Sequence, residues 1–318
     1  MSNQEKDSWE VAHELAAELP APDFHPSYES KLVTIEGSQI HYMEKGAGDP
    51  IVFIHGNPES SYIWRNVMPY LEPYGRVIAP DLIGFGKSDK PKIAYEYEDF
   101  YKYLDGFYKA LNLQNMTFVI HDWGSVLGFD YARQNRSQVR GIAYMEGLIM
   151  PAYPINDPEA FRKVKPSVIG MYERNKSAAG EDDVLVQNLF IEKTLPGHTF
   201  RKFRQYEMDR YREPFKNPDD RLPLLQWPKL IPINGKPEST HKAISAINEW
   251  LLKKEFPTLH CYGEPGDVNS VDDVQWLATR LKNHETAYVG VGLHFIQEDR
   301  PKELGRALAD WYRRNLKK

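Results

Sequence analysis

Three short stretches combine residue types that can do chemistry, and each follows a run typical of a β-strand. The first is His121-Asp122-Trp123-Gly124-Ser125, directly behind Thr117-Phe118-Val119-Ile120. A strand that turns sharply into a helix projects one side chain from the bend, and a small residue next to it permits close approach of the neighbouring backbone. The usual elbow of this kind, G-x-S-x-G, projects a serine. Here Gly124 stands immediately before Ser125, so the spacing fails for serine and puts Asp122 in the nucleophile position. An isolated Asp before a helix is most often an N-cap; the flanking His, Trp and Gly favour a reactive carboxylate. The second stretch, His55-Gly56-Asn57-Pro58, follows Ile51-Val52-Phe53-Ile54. The backbone N–H of Asn57 suits an oxyanion hole beside the elbow, and its side chain adds an amide donor. The third, Gly292-Leu293-His294, follows Thr286-Ala287-Tyr288-Val289 and offers an imidazole as general base. Such a histidine needs an acid to fix its tautomer. Glu146, after Gly141–Met145, and Asp267, after Thr258–Tyr262, both qualify by position, and position does not choose between them.

The elements that must hold these residues follow from the pattern of apolar runs. Leu32–Ile35 and Ile40–Tyr42, split by Gly37-Ser38, read as a hairpin. Ile51–Ile54, Val77–Pro80, Thr117–Ile120 and Gly141–Met145 are continuous apolar runs of the kind buried on both faces of a parallel sheet. Helices are expected over Tyr95–Leu111 and Gly124–Arg133. Between Gly147 and Pro232 the pattern turns helical with proline-rich joints. Strand character returns at Thr258–Tyr262 and Thr286–Val289, and a last helix spans Pro301–Asn315. This β–α alternation predicts a doubly wound α/β fold with its site at the carboxyl ends of the strands. The expected organisation is an N-terminal extension over 1–29, a core domain over 30–146 and 233–318, and a helical cap over 147–232. Trp9, Ala12, Leu15, Ala16 and Leu19 recur at helical spacing and predict a short amphipathic helix in the extension.

Composition narrows the function classes. The 318 residues carry 40 basic and 45 acidic side chains, a net charge of −5, which gives no reason to expect a nucleic-acid partner. No apolar run approaches the roughly 18 residues of a membrane helix, and the acidic N-terminus is not a signal peptide. The cytoplasm is the expected compartment. The single cysteine, Cys261, excludes an intrachain disulfide and a cysteine-rich zinc site.

Together these blocks resemble the haloalkane dehalogenases of the α/β-hydrolase superfamily, from about residue 30 to the end. The resemblance runs through His55-Gly56-Asn57-Pro58 and Trp64-Arg65-Asn66, then Pro80-Asp81-Leu82-Ile83-Gly84-Phe85-Gly86-Lys87-Ser88-Asp89 and His121–Ser125. In the cap it covers Phe190-Ile191-Glu192 and Tyr211-Arg212-Glu213-Pro214-Phe215, and it ends with Gly292-Leu293-His294 and Gln297-Glu298-Asp299. It implies a mostly parallel eight-stranded sheet with a helical cap inserted after the sixth strand. It also implies Asp122 as nucleophile, His294 as base, Glu146 as the acid, and Asn57 with Trp123 as the halide-binding pair. Phe190, Pro232 and Leu293 are the expected pocket lining, with Phe161 and Tyr172 as further cap aromatics. Glu59 departs from the threonine common at that position, and residues 151–158 lack a tryptophan-rich stretch.

The implied reaction suits these residue types. Displacing halide from an sp³ carbon with serine leaves an ether, which water does not easily release. With a carboxylate it leaves an ester, whose carbonyl can be hydrolysed. No metal or organic cofactor is expected; the expected partners are a small halogenated hydrocarbon, water and halide, in a monomer or homodimer. Two enzymes share the frame. An epoxide hydrolase uses two cap tyrosines, for which Tyr153, Tyr206 and Tyr211 are candidates. A luciferase of the sea-pansy type keeps the Asp, Glu and His but oxidises coelenterazine. A ligand receptor without activity is the third class, disfavoured by the complete set of reactive residues.

Overall fold

The computed structural model describes residues 28–317, so the helix expected over residues 9–19 lies outside the described residues. Eight strands form one sheet: β1 (Glu29–Ile35), β2 (Ser38–Lys45), β3 (Pro50–Ile54), β4 (Arg76–Pro80), β5 (Met116–His121), β6 (Val139–Met145), β7 (Thr258–Pro265) and β8 (His284–Gly292). Their spatial order is β1-β2-β4-β3-β5-β6-β7-β8. The β1–β2 hairpin and the β2–β4 pair are antiparallel, and every pair from β4 to β8 is parallel. All of β3 and β5 is buried, as continuous apolar runs require in a sheet covered on both faces. The order doubles back at β3, between β4 and β5, and β3 and β5 carry the His55-Gly56-Asn57 turn and the Asp122 bend side by side. Such a switch in strand order is where open α/β sheets bind ligands.

Helix α1 (Tyr97–Ala110) starts two residues later than the periodicity predicts. Tyr95 has φ 55°, and the Asp99 carboxylate accepts from the Glu96 N–H at 3.0 Å to close the first turn. Helix α2 (Trp123–Gln134) is buried from Trp123 through Ala132. Between β6 and β7 the chain leaves the sheet for α3 (Pro158–Val164), α4 (Pro166–Asn175), α5 (Gln205–Arg212) and α6 (Leu222–Lys229), with shorter helical turns between them. It returns through α7 (Glu238–Leu251), which packs on α2. The two ends of this excursion clasp each other: Ile155 N–H donates to Pro232 O and Asn234 N–H to Ile155 O, both at 2.9 Å. The fold is therefore a mostly parallel eight-stranded α/β sheet with a helical cap inserted after the sixth strand. Helices α8 (Val271–Ala278) and α9 (Pro301–Asn315) complete it. No helix among the described residues is long and apolar enough to cross a membrane.

A buried ionic network ties cap to core. Arg65 donates to Glu298 at 2.6 and 2.9 Å and to Glu207 of α5 at 3.1 Å. Arg201 donates twice to Glu207 at 2.9 Å and also bonds Glu298, which the Tyr211 hydroxyl bonds in turn.

Candidate active site

The bend behind β5 is tight. Asp122 adopts φ 48°, ψ −126°, a conformation that costs a non-glycine residue about 1–3 kcal/mol and persists only where surrounding contacts enforce it. Two glycines and a serine do so. A Cβ on Gly124 would lie 2.4 Å from Ile54 O, so only glycine lets α2 start this close to β3. A Cβ on Gly56 would lie 2.2 Å from Asp122 Oδ2. Ser125, rejected as a nucleophile by its spacing, braces the turn instead: its Oγ donates to Asp122 O at 2.6 Å and accepts from Leu148 N at 3.0 Å.

Asp122 Oδ2 accepts the Asn57 backbone N–H at 2.9 Å. Its other oxygen, Oδ1, lies 3.9 Å from His294 Nε2, beyond hydrogen-bond reach. His294 Nδ1 lies 3.2 Å from Glu146 Oε2. Glu146 also has positive φ (47°) and accepts the backbone N–H groups of Val268 at 2.5 Å and Asp267 at 3.2 Å. Both candidate acids are therefore present, in different places. Glu146 meets the His294 imidazole, whereas the Asp267 carboxylate bonds His198 Nδ1 at 2.5 Å.

Burial raises the Asp122 carboxyl above its usual range, against the opposing pull of His294. Burial acts to lower the His294 pKa. The hydrogen bond to Glu146 and the negative charges of Asp122 and Glu146 outweigh it, and the pKa rises to about 9.

These groups face a cavity of about 220 Å³ whose wall is mostly apolar, with Leu148, Tyr153, Met171, Phe190 and Ile231 among its lining residues. Asn57 and Trp123 both line it. The Trp123 indole is held by stacking on Trp227 at 4.5 Å, which stacks on Phe100 at 3.9 Å. The Asn57 amide nitrogen is only loosely engaged, 3.4 Å from Leu224 O, and its Oδ1 is buried without a hydrogen-bond partner.

Of the expected lining residues, Phe190 faces the cavity, and Pro232 and Leu293 do not. Pro232 belongs to the clasp between the ends of the cap, and its neighbour Ile231 takes the wall position. Leu293 packs beside Phe200, because the turn after β8 sends His294 inward and Leu293 the other way. Phe161 packs on Tyr153, and Tyr172 is not in the wall. Of the three tyrosines considered for an epoxide-opening pair, Tyr153 alone lines the cavity; Tyr206 is 41% exposed and the Tyr211 hydroxyl bonds Glu298.

Two further features pair residues that the sequence does not connect. The unusual Glu59 is fully buried and accepts from Gly56 N at 3.1 Å. It also meets His121 Nδ1 at 3.0 Å, while His121 Nε2 donates to His294 O at 2.9 Å. Glu59, His121 and His294 offer ligand atoms within 4.8 Å of one another, a grouping able to hold a metal ion. Both His121 nitrogens are committed to the hydrogen bonds just described. The second feature is the His198–Asp267 pair in the cavity wall. A glutamate beside the Gly-Asn-Pro turn was a signal for the first; nothing local pairs 198 with 267.

The strand order, the bend and the cap define an α/β hydrolase, and the alpha/beta hydrolase fold family model matches residues 49–301. A haloalkane dehalogenase of Sphingobium indicum is 42% identical over 297 residues, covering 91% of this chain and 97% of its own. One from Mesorhizobium japonicum is 39% identical, covering 88% and 89%. Among solved structures, the haloalkane dehalogenase DbeA of Bradyrhizobium elkani aligns with TM-score 0.82 at 35% identity, covering 90% of this chain and 97% of its own. DatA of Agrobacterium tumefaciens aligns with TM-score 0.80 at 32% identity, covering 91% and 97%. The chain belongs to the haloalkane dehalogenase family.

Proposed function

We propose that this hydrolase cleaves carbon–halogen bonds of small haloalkanes, giving alcohol, halide and a proton, through an ester on Asp122. The observation that carries the reading is the Asp122 carboxylate, buried in an apolar cavity, with the Glu146–His294 pair behind it and an amide and an indole lining the same space. Asp122 Oδ1, the oxygen not held by the Asn57 N–H, attacks the sp³ carbon, and the halide leaves with the bonding electrons. The N–H groups of the Trp123 indole and Asn57 amide stabilise that charge in a dry site, each worth about 3–4 kcal/mol by analogy with oxyanion donors. His294 then takes a proton from water, and the hydroxide adds to the ester carbonyl. Oδ2, already on the Asn57 N–H, becomes the oxyanion. Collapse breaks the bond from the carboxyl carbon to the alkoxy oxygen; the departing alkoxide takes back the proton from the His294 imidazolium and leaves as alcohol, and the new carboxyl group releases its proton to restore the carboxylate. The 3.9 Å between His294 Nε2 and Oδ1 leaves the imidazole unbonded to the carboxylate and able to engage a water.

A carboxylate nucleophile alone would equally serve an epoxide hydrolase. That reaction needs two tyrosines over the substrate, and one candidate of three lines the cavity. We also read 30–146 with 233–318 as the core and 147–232 as the cap, a division supported by the Ile155–Pro232 clasp. The test is halide release from C2–C6 chloro-, bromo- and iodoalkanes. Release by the wild type and none by Asp122→Ala supports the reading. In His294→Phe, intact-mass measurement should find the alkyl-enzyme ester accumulating; full turnover by that variant removes His294 as the base.

A further inference from the structure

The cavity has a second polar site that the reaction does not use. His198 follows a helical turn of the cap, and Asp267 lies in the loop after β7 of the core. Their side chains meet at 2.5 Å, and both line the same cavity as Asp122 and His294. They lie nearer solvent: the two side chains are 37% and 28% exposed, against 10% and 9% for His294 and Asp122. Thr194, four residues before His198 and joined to it by a His198 N–H to Thr194 O bond of 3.1 Å, adds a hydroxyl to the same wall. The pair stands on the solvent side of the base: Asp267 N–H donates to Glu146 at 3.2 Å, and the His198 carbonyl accepts from Phe295 N–H, next to His294, at 3.3 Å.

A bond between cap and core could serve only to hold them together, but that task already has the fully buried Arg65–Glu298–Arg201–Glu207 network. A pair about one-third exposed on the cavity wall adds little to such a tie, because solvent screens it. It does add a fixed hydrogen-bonding group where the wall is otherwise suited to hydrocarbon. With Nδ1 committed to Asp267, the ring orientation is set, and Nε2 is the edge that remains for a ligand.

We propose that His198, oriented by Asp267, binds the end of the substrate away from the halogen, and that the site favours haloalkanes bearing a hydroxyl or other hydrogen-bonding group there. This rests on the dehalogenase reading of Asp122. Here Asp267 is a positioning residue and His198 a specificity-determining one.

The test compares kcat/KM for 6-bromohexan-1-ol and 1-bromohexane, two substrates of matched chain, in the wild type, His198→Leu and His198→Gln. The ratio cancels any loss of folded enzyme that affects both substrates. We expect the alcohol-to-alkane ratio to fall about tenfold in His198→Leu, the size of one hydrogen bond to a polarised partner. In His198→Gln, which keeps a polar tip, it should stay within threefold of wild type. A fall below threefold in His198→Leu, or an equal fall in both variants, assigns the pair to structure and overturns the inference. Absence of halide release from either substrate by the wild type overturns the dehalogenase reading and this inference with it.

Discussion

Two clusters of buried charge meet in the segment that carries both His294 and Glu298, and they are built on opposite lines. In the cap–core network each carboxylate is amply satisfied. Glu298 takes bonds from Arg65, Arg201 and Tyr211, and although burial raises its pKa, the two guanidinium groups outweigh that and push it down to about 2. In the cavity, Asp122 has one backbone N–H and an imidazole 3.9 Å away, and burial leaves its carboxyl raised. The first arrangement stabilises charge for its own sake. The second keeps a charge poorly solvated, so that losing it to a carbon atom costs less. A reactive group is recognisable here less by being buried than by being left short of partners.

The largest effect separates the clusters outright. Asp122→Ala should lower turnover by at least about 10⁴-fold, the scale seen on removing a covalent nucleophile. Its thermal midpoint should stay close to that of the wild type, because removing an under-satisfied buried carboxylate offsets the loss of its charge beside the His294 imidazolium. Halide-release kinetics and calorimetry on one preparation check both halves; a large drop in midpoint would break the contrast.

Arg65→Met should do the reverse. It leaves Glu298 and Glu207 with only part of their positive charge, and removing one partner of a buried ionic cluster costs about 3–5 kcal/mol. Denaturant titration should find that loss, while kcat per folded molecule changes far less than in Asp122→Ala. If Arg65→Met unfolds no more easily than the wild type, the network is not the tie between cap and core.

How much of this contrast could be read in the sequence depends on how local each part is. The strands were legible because their runs are continuous and apolar, and the bend at Asp122 because a strand run, the Gly124 spacing and a helix signal lie within a few residues. The choice of acid was legible only through the family resemblance, not from position. Glu146 and Asp267 both follow strands, and only the packing of the two loops brings Glu146 to His294 and turns Asp267 to His198. The ionic network joins positions 65, 201, 207 and 298, and no local pattern pairs charges that far apart. Pro232 and Leu293 failed as wall residues for a similar reason. Periodicity gives side-chain direction in helices and strands, but these two sit in turns, where one residue of offset reverses it.

Trp123→Phe sharpens the comparison within the cavity. Phenylalanine keeps an aromatic ring over Trp227 and loses only the indole N–H. The cost should be about 10²–10³-fold in kcat/KM, with stability little changed. Pre-steady-state measurement should put the loss in halide departure and leave ester hydrolysis close to wild type. An equal slowing of both steps would mean that the ring's packing, and not its N–H, is what the site uses.

The smallest and most diagnostic effect is in the pH dependence of His294. In the resting protein its pKa is raised to about 9, the Glu146 hydrogen bond and the Asp122 charge overcoming burial, so at neutral pH the ring is protonated and cannot act as a base. Alkylation turns Asp122 into a neutral ester. One of the charges holding the proton disappears, and the pKa should fall below 9 by roughly 1–3 pH units, the usual influence of a charge at this distance. The nucleophile's own reaction thus prepares the base for the second step. In single-turnover experiments ester hydrolysis should speed up with rising pH through that lower value, while NMR titration of the free enzyme should find His294 near 9. Stability carries the same signature with a defined sign. A folded-state pKa above the unfolded value of about 6.5 contributes stability that is present in full below 6.5 and lost as pH rises through about 9. Asp122→Ala lacks part of that contribution, so its stability should fall less steeply across this window. Ester hydrolysis titrating at 9 or above would show that the Asp122 charge does not hold the imidazolium, and the coupling between the two steps would be lost.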